Sequence, residues 1–204
     1  FWGRLLMARK QRKDLVRRRP SREYRKVCWI SAEGTTERDY FSMDVFKDSA
    51  YAIKFPKDIH PSRRNPEAVL KRFEKMLREE DFRKGDIAWL VVDVDSYAES
   101  ELQQLLEWES EDPRHHVAIS NPKFELFLAL HFANASGCTT SASVDAELKR
   151  RMRQYKKRLS PRQFDRDSIL AACNRSELRR RNGDSAIPDP GTTDVHKLVR
   201  QLIA

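Results

Sequence analysis

The chain has 204 residues, 39% of them hydrophobic and 35% charged, with a formal net charge of +9. That suits one compact domain, or one domain with an appendage, beneath a densely charged surface. No run of about 18 apolar residues occurs, which excludes a membrane-spanning helix; no apolar signal core opens the chain; and Cys28, Cys138 and Cys173 are too scattered for a disulfide framework or a CxxC metal motif, so a reducing cytoplasm is the expected setting.

Residues 1–25 read as a basic, apolar-poor arm, in which Met7-Ala-Arg-Lys-Gln-Arg-Lys-Asp14 resembles a natural basic start. Arg17, Arg18 and Arg19 are its densest charge and suit salt-sensitive phosphate contacts without base readout. Val27 to Ala32 is a short apolar run, expected as a buried strand that ends in a tight turn at Glu33-Gly34. Thr35 or Thr36 is the candidate cap of the helix that follows, and Tyr51 to Phe55 reads as a second, weaker strand. Asn65-Pro66-Glu67 carries a cap residue, a first-position proline and a first-turn acid. Val69, Leu70, Phe73, Met76 and Leu77 then give the new helix one apolar face, and Gly85 is the expected stop.

Asp86 to Val92 is the clearest strand, apolar on both alternating faces as a central parallel strand must be, and it ends in Asp93-Val94-Asp95. Leu102, Leu105 and Leu106 predict an amphipathic helix, Val117 to Ser120 a short strand, and Phe124 to Phe132 an apolar helix. The alternation of strand and helix predicts an α/β fold, a mostly parallel Rossmann-like sheet with helices on both faces, over residues 26–135. Residues 136–204 are expected as a helical, basic C-terminal extension packed on that core. Its helices span Val144 to Leu159, Ile169 to Arg181 with a stop at Asn182-Gly183, and a last segment capped by Thr193 or Asp194.

Charge is segregated along the chain. From Asp86 to Glu147 twelve acids face only Arg114 and Lys123, whereas from Lys149 to Arg181 thirteen bases face Asp165, Asp167 and Glu177. An acidic centre between basic segments suits a protein that holds metal in one place and a polyanion around it.

In an open parallel sheet, ligands gather outside the carboxyl ends of the strands. Glu33 follows the first strand and Asp93 and Asp95 the central one. In an extended Asp-x-Asp the two side chains point the same way, so neighbouring strands would converge three carboxylates. Such a set repels itself unless a hard cation neutralises it, and Mg²⁺ takes oxygen ligands of this kind. Lys157, beside Lys156, is a candidate for neutralising phosphate charge, with a plain surface helix face as the alternative. Glu125, in an otherwise apolar helix, either supports the metal site or pairs with a cation. Asn121 reads as a helix cap or as site support, and His131 as a satisfied core histidine.

Ile30-Ser-Ala-Glu-Gly-Thr-Thr-Glu-Arg-Asp-Tyr-Phe41 resembles the CEG-x-TE-x-x-YF opening of RloB-like proteins. Val91-Val-Asp-Val-Asp95 is similar to their FD-x-D strand end, and Ala118-Ile-Ser-Asn-Pro-Lys-Phe-Glu-Leu-Phe-Leu-Ala-Leu-His-Phe132 to their ISNP-x-FE-x-W-x-LLHF block, the most specific part. Tyr155-Lys-Lys157 matches a Y-x-K element, while Ala32, Lys123 and Phe127 depart from the usual cysteine, cysteine and tryptophan. The resemblance implies a Toprim-like fold, metal ligation by Glu33, Asp93 and Asp95, a general acid or base role for Glu33, and a place in prokaryotic antiphage defence or abortive infection.

Two functions follow as expectations. The first is a Mg²⁺-dependent nuclease (Mn²⁺ being the other candidate ion) with catalytic Glu33, Asp93, Asp95 and Lys157, acting on RNA, including tRNA, or DNA. The second is a non-catalytic subunit that binds nucleic acid or a partner protein of a defence operon. Arg17, Arg18, Arg19, Lys156 and Lys157 would contact nucleic acid in either case. A homo-oligomer is compatible with both, a membrane partner with neither. A phosphotransferase is disfavoured, because no glycine-rich phosphate loop occurs among six glycines.

Overall fold

The computed structural model describes residues 25–56, 66–153, 155–181 and 185–204. The basic arm with Arg17, Arg18 and Arg19, the Asn65 cap and the Asn182-Gly183 stop lie outside the described residues. Within them the order is β1 (Val27–Ala32), α1 (Thr35–Phe41), β2 (Ala52–Lys54), α2 (Pro66–Glu79), β3 (Ile87–Asp93), α3 (Glu99–Glu111), β4 (His115–Asn121), α4 (Glu125–Leu130), α5 (Ser141–Arg151), α6 (Arg166–Arg180), β5 (Thr192–Thr193) and α7 (Val195–Ile203). The sheet runs β2-β1-β3-β4-β5. Its first four strands are parallel, and β5 joins β4 antiparallel. The expected β-α alternation and mostly parallel sheet are what the chain forms.

Strand periodicity of two splits the apolar residues into two cores. Cys28, Ile30, Ala32, Ile87, Trp89, Val91 and Ala118 face the layer of α1 and α4 to α7. Val27, Trp29, Ala88, Leu90, Val92, Val117 and Ile119 face α2 and α3. Phe73 and Leu77 of α2 and Leu102, Leu105 and Trp108 of α3 close that second face, as their helical spacing predicts. Cys28 is a wholly buried core residue.

Residues 136–204, expected as an extension, also supply β5 and a large share of one core. Val144, Leu148, Ile169, Ala172, Val195, Leu198, Val199 and Leu202 pack with the sheet residues named above. The two-residue β5 carries no periodicity of its own. Gly191, at φ +84°, turns the chain so that its N–H donates to Asn121 O at 2.8 Å, and Ser120 and Thr193 then share a hydroxyl hydrogen bond of 2.8 Å. The expected helix to Leu159 ends at Arg151, and residues 152–153 and 155–163 lie outside helix and strand. The cap of α1 is Gly34 rather than a threonine.

Candidate functional site

Strand β1 leads into α1 on one face of the sheet, and its neighbour β3 leads into α3 on the other. Connections that leave adjacent strands on opposite sides open a crevice at their carboxyl ends, where open α/β sheets place ligands. Glu33 and Asp93 stand at the two lips of that crevice. The Asp93 N–H donates to Glu33 Oε1 at 3.3 Å. The Phe124 N–H, at the start of α4, donates to Asp93 Oδ1 at 2.8 Å, so Asp93 also ties the end of β3 to the segment after β4.

Two further acids complete the centre. Glu37, in the first turn of α1, is 5% exposed, and Glu125, in the first turn of α4, is 6% exposed. The Glu37 carboxylate folds back over Gly34, where a Cβ would lie 2.6 Å from Glu37 Oε2. Close approach of a carboxylate, rather than a left-handed φ, is thus what calls for glycine in the Glu33-Gly34 turn. The Tyr155 hydroxyl donates to Glu125 Oε1 at 3.3 Å and lies 3.1 Å from Thr36 Oγ1. The Tyr97 hydroxyl is buried against Glu33, and burial together with the charges of Glu33 and Asp93 pushes its pKa up.

The acids sense one another. Burial pushes the Glu37 carboxyl up to about 7; Glu125 and Glu33 add to the rise, while its own N–H and the Lys157 charge oppose it. Burial, then Glu37, Glu33 and Glu125, hold Asp93 well above the usual carboxylate range. Among the described residues, neither Glu37, Asp93 nor Glu125 has an ion pair with lysine or arginine.

Asp95 stands apart from this group. The chain leaves the extended conformation at Asp93 and enters a 3₁₀ turn over Val94–Ser96, so the parallel side chains expected of an extended Asp-x-Asp do not form. Asp95 is exposed and accepts a hydrogen bond from Ser141 Oγ. Glu33, Asp93 and Asp95 are therefore not brought together as one ligand set, and among the described residues no group of three His, Cys, Asp or Glu side chains stands ready to hold an ion.

Of the supporting residues, Glu125 joins the centre and takes a tyrosine, not a cation. Asn121 does not cap α4, which starts from Phe124; its amide donates to Pro188 O at 2.7 Å and pins the 185–191 loop. Lys157 reaches the centre on a left-handed backbone, φ +58°. Its carbonyl accepts from Thr36 Oγ1 at 3.3 Å, which docks the 155–158 segment on the start of α1. Lys156 is exposed beside it. His131 is a core histidine as expected, against the Tyr40 hydroxyl at 3.1 Å and Phe127 O at 3.0 Å; burial lowers its pKa to about 4 and keeps it neutral. Glu37 and Tyr97 were not singled out from the sequence. For Glu37 the signal existed, since Glu33 and Glu37 lie four apart across a helix start.

The model of the RloB-like protein family matches residues 28–202. The chain belongs to the RloB-like family. No curated protein and no solved structure matches it. The matched span takes in β1 through α7, so the family is defined over the same sheet and helices that assemble the acidic crevice of this RloB-like chain.

Proposed function

We propose that this RloB-like protein is a Mg²⁺-dependent nuclease with a Toprim-type fold, acting in prokaryotic antiphage defence. The observation that carries the reading is the meeting of Glu33, Glu37, Asp93 and Glu125 at the β1/β3 crevice, with Glu37 and Asp93 driven toward protonation by burial and by neighbouring carboxylates. Buried carboxylates that raise the pKa of a neighbouring carboxylate cluster at functional sites. The donors are all oxygen and anionic, which fits a hard divalent cation. Since no three stand ready to share an ion, binding requires a side-chain rotation, and Glu37 and Glu125, each with two or more free torsions, are the acids to supply it.

Bound there, Mg²⁺ would hold and polarise a phosphodiester and lower the pKa of a coordinated water. The chain's own groups do the remaining work. Asp93 is fixed by the Phe124 N–H and Glu33 by the Asp93 N–H, so both ligands are pre-oriented by backbone. Glu37, near 7, is able to hold or release a proton at neutral pH. Lys157 brings a positive charge toward Glu37, where it would meet a non-bridging phosphate oxygen.

The test is a cleavage panel of tRNA, single-stranded RNA, single-stranded DNA and duplex DNA with Mg²⁺ or Mn²⁺, wild type beside Asp93→Asn. Cleavage of at least one substrate, abolished by EDTA and lowered about 100-fold or more by Asp93→Asn, is the expected result. Binding without turnover, indifferent to EDTA, would instead favour a non-catalytic nucleic-acid-binding subunit.

A further inference from the structure

A second feature lies beside the acidic crevice and is its electrostatic opposite. The end of α5 and the irregular segment after it bound an open cleft of about 670 Å³, lined by Phe132, Arg150, Arg151, Arg153, Tyr155 and Arg158 among others. Pockets of roughly 300–1,000 Å³ take ligands the size of a nucleotide or two. Residues 150–158 contribute six cations to this neighbourhood. Glu147 is shared by Arg150 and Arg151, and Asp39 pairs with Arg158 at 2.8 Å. Arg153 is exposed and has no acidic partner among the described residues. Two carboxylates against the four arginines that line it leave the cleft positive.

Phe132 is 37% exposed, and with Leu178 it is one of two large apolar side chains exposed among the described residues. Its ring is held edge-on against Phe164, with centroids 5.8 Å apart, so it is an anchored platform and not a loose side chain. Tyr155 lines the same cleft and donates its hydroxyl to Glu125 of the acid centre. Cleft and crevice are thus joined through one residue.

We propose that this cleft seats a single-stranded stretch of nucleic acid and leads it into the acid centre, with a base stacked on Phe132 and the backbone held by Arg150, Arg151 and Arg153. The substrate class rests on the nuclease reading above and narrows it. A cationic groove alone would accept duplex as readily as single strands, because phosphates carry the attraction in both. An exposed, anchored aromatic ring among the cations favours unpaired bases, since only they offer a free face to stack. An acidic peptide would satisfy the arginines and leave Phe132 without a role.

The experiment is fluorescence anisotropy in EDTA, which removes turnover. Full-length wild type, Phe132→Ala, Phe132→Tyr and the double variant Arg150→Gln/Arg153→Gln are titrated with a labelled 12-nucleotide single-stranded RNA, a 12-nucleotide single-stranded DNA and a 12-base-pair duplex, across a salt series. Thermal melts first check that each variant is folded. Phe132→Ala should weaken single-strand binding about tenfold with the salt slope unchanged, and Phe132→Tyr should restore it. The arginine double variant should reduce the salt slope by about one to two. Duplex bound as tightly as single strand, with Phe132→Ala indistinguishable from wild type, overturns the proposal; so does a salt slope that the arginine variant leaves unmoved. Cleavage without this binding pattern sinks the cleft alone, and the binding pattern without cleavage sinks the nuclease reading alone.

Discussion

The two ends of the parallel sheet treat their acids in opposite ways. At the amino ends, Asp86 accepts the Val27 N–H at 2.8 Å and the Arg83 N–H at 3.0 Å, locking β1 to the turn before β3. Asp112, just before β4, takes the Arg114 side chain at 2.6 Å, and that guanidinium holds its carboxyl down at about 2. At the carboxyl ends, Glu37 and Asp93 meet other carboxylates, and both are pushed up. One fold therefore contains acids that stabilise it and acids that work against it. A charge that weakens the fold and is still placed by backbone hydrogen bonds, as Asp93 is by Phe124, is what the proposed site requires.

The sharpest way to break this contrast is to remove charge at the carboxyl end. Asp93→Asn keeps an oxygen for the Phe124 N–H but loses the anion, so metal-dependent cleavage should fall about 100-fold or more while the fold survives. The same variant should lose any upward shift in melting temperature that Mg²⁺ gives the wild type. A variant that melts far below wild type in EDTA would mean that Asp93 is an architectural acid like Asp86.

Glu37→Gln tests the electrostatic half of the comparison. In the folded chain Glu37 titrates near 7, against about 4.5 when unfolded. The folded state holds this proton more tightly, so the stability linked to it is complete below pH 4.5 and is lost as pH rises through 7. Glutamine cannot ionise and escapes that loss. In EDTA the variant should be more stable than wild type by about 2–3 kcal/mol at pH 8 and by almost nothing at pH 4.5. Adding Mg²⁺ at pH 8 should narrow the gap by stabilising the wild type. Gly34→Ala is a milder probe: its Cβ would press the Glu37 carboxylate aside without touching backbone, so cleavage should drop several-fold with a melting temperature within about 3 °C of wild type.

How much of this was legible in the sequence depended on range. Strands β1 and β3 announced themselves because both faces of each are buried, giving unbroken apolar runs. Glu33 and Asp93 followed, since residues just past such strands sit at the ligand end of the sheet. Three things were not readable. The 3₁₀ turn over Val94–Ser96, which takes Asp95 out of line, depends on Asp95 N–H meeting Pro122 O at 3.3 Å, a contact across the sheet end that local pattern does not encode. Strand β5 is two residues long and exists through Ser120 and Thr193. The arrival of Lys157 beside Glu37 rests on a carbonyl bond to Thr36, 121 positions away. Local periodicity places elements, and side chains that close a site from distant segments are set by tertiary contacts that no window contains.

The smallest expected effect comes from the other end of the sheet. Asp112 is held low by the Arg114 side chain, with the Arg114 N–H also donating to it at 2.9 Å. Its folded value lies near 2, against 3.8 when unfolded. A carboxyl depressed in the folded state contributes stability that is present above the unfolded value and is lost as pH falls through the folded one. The pair is open to solvent, with the two side chains 25% and 34% exposed, so screening discounts the contribution to about 1 kcal/mol or less. Asp112→Asn should therefore lower stability by that amount at pH 7, weaken that effect toward pH 2 and at high salt, and leave cleavage and Mg²⁺ response untouched. Glu37→Gln moves in the opposite direction over a different range, 4.5 to 7. If instead both substitutions destabilised the protein at pH 8, the acids at the two ends would be performing one job, and the carboxyl-end cluster would lose its claim to be a site.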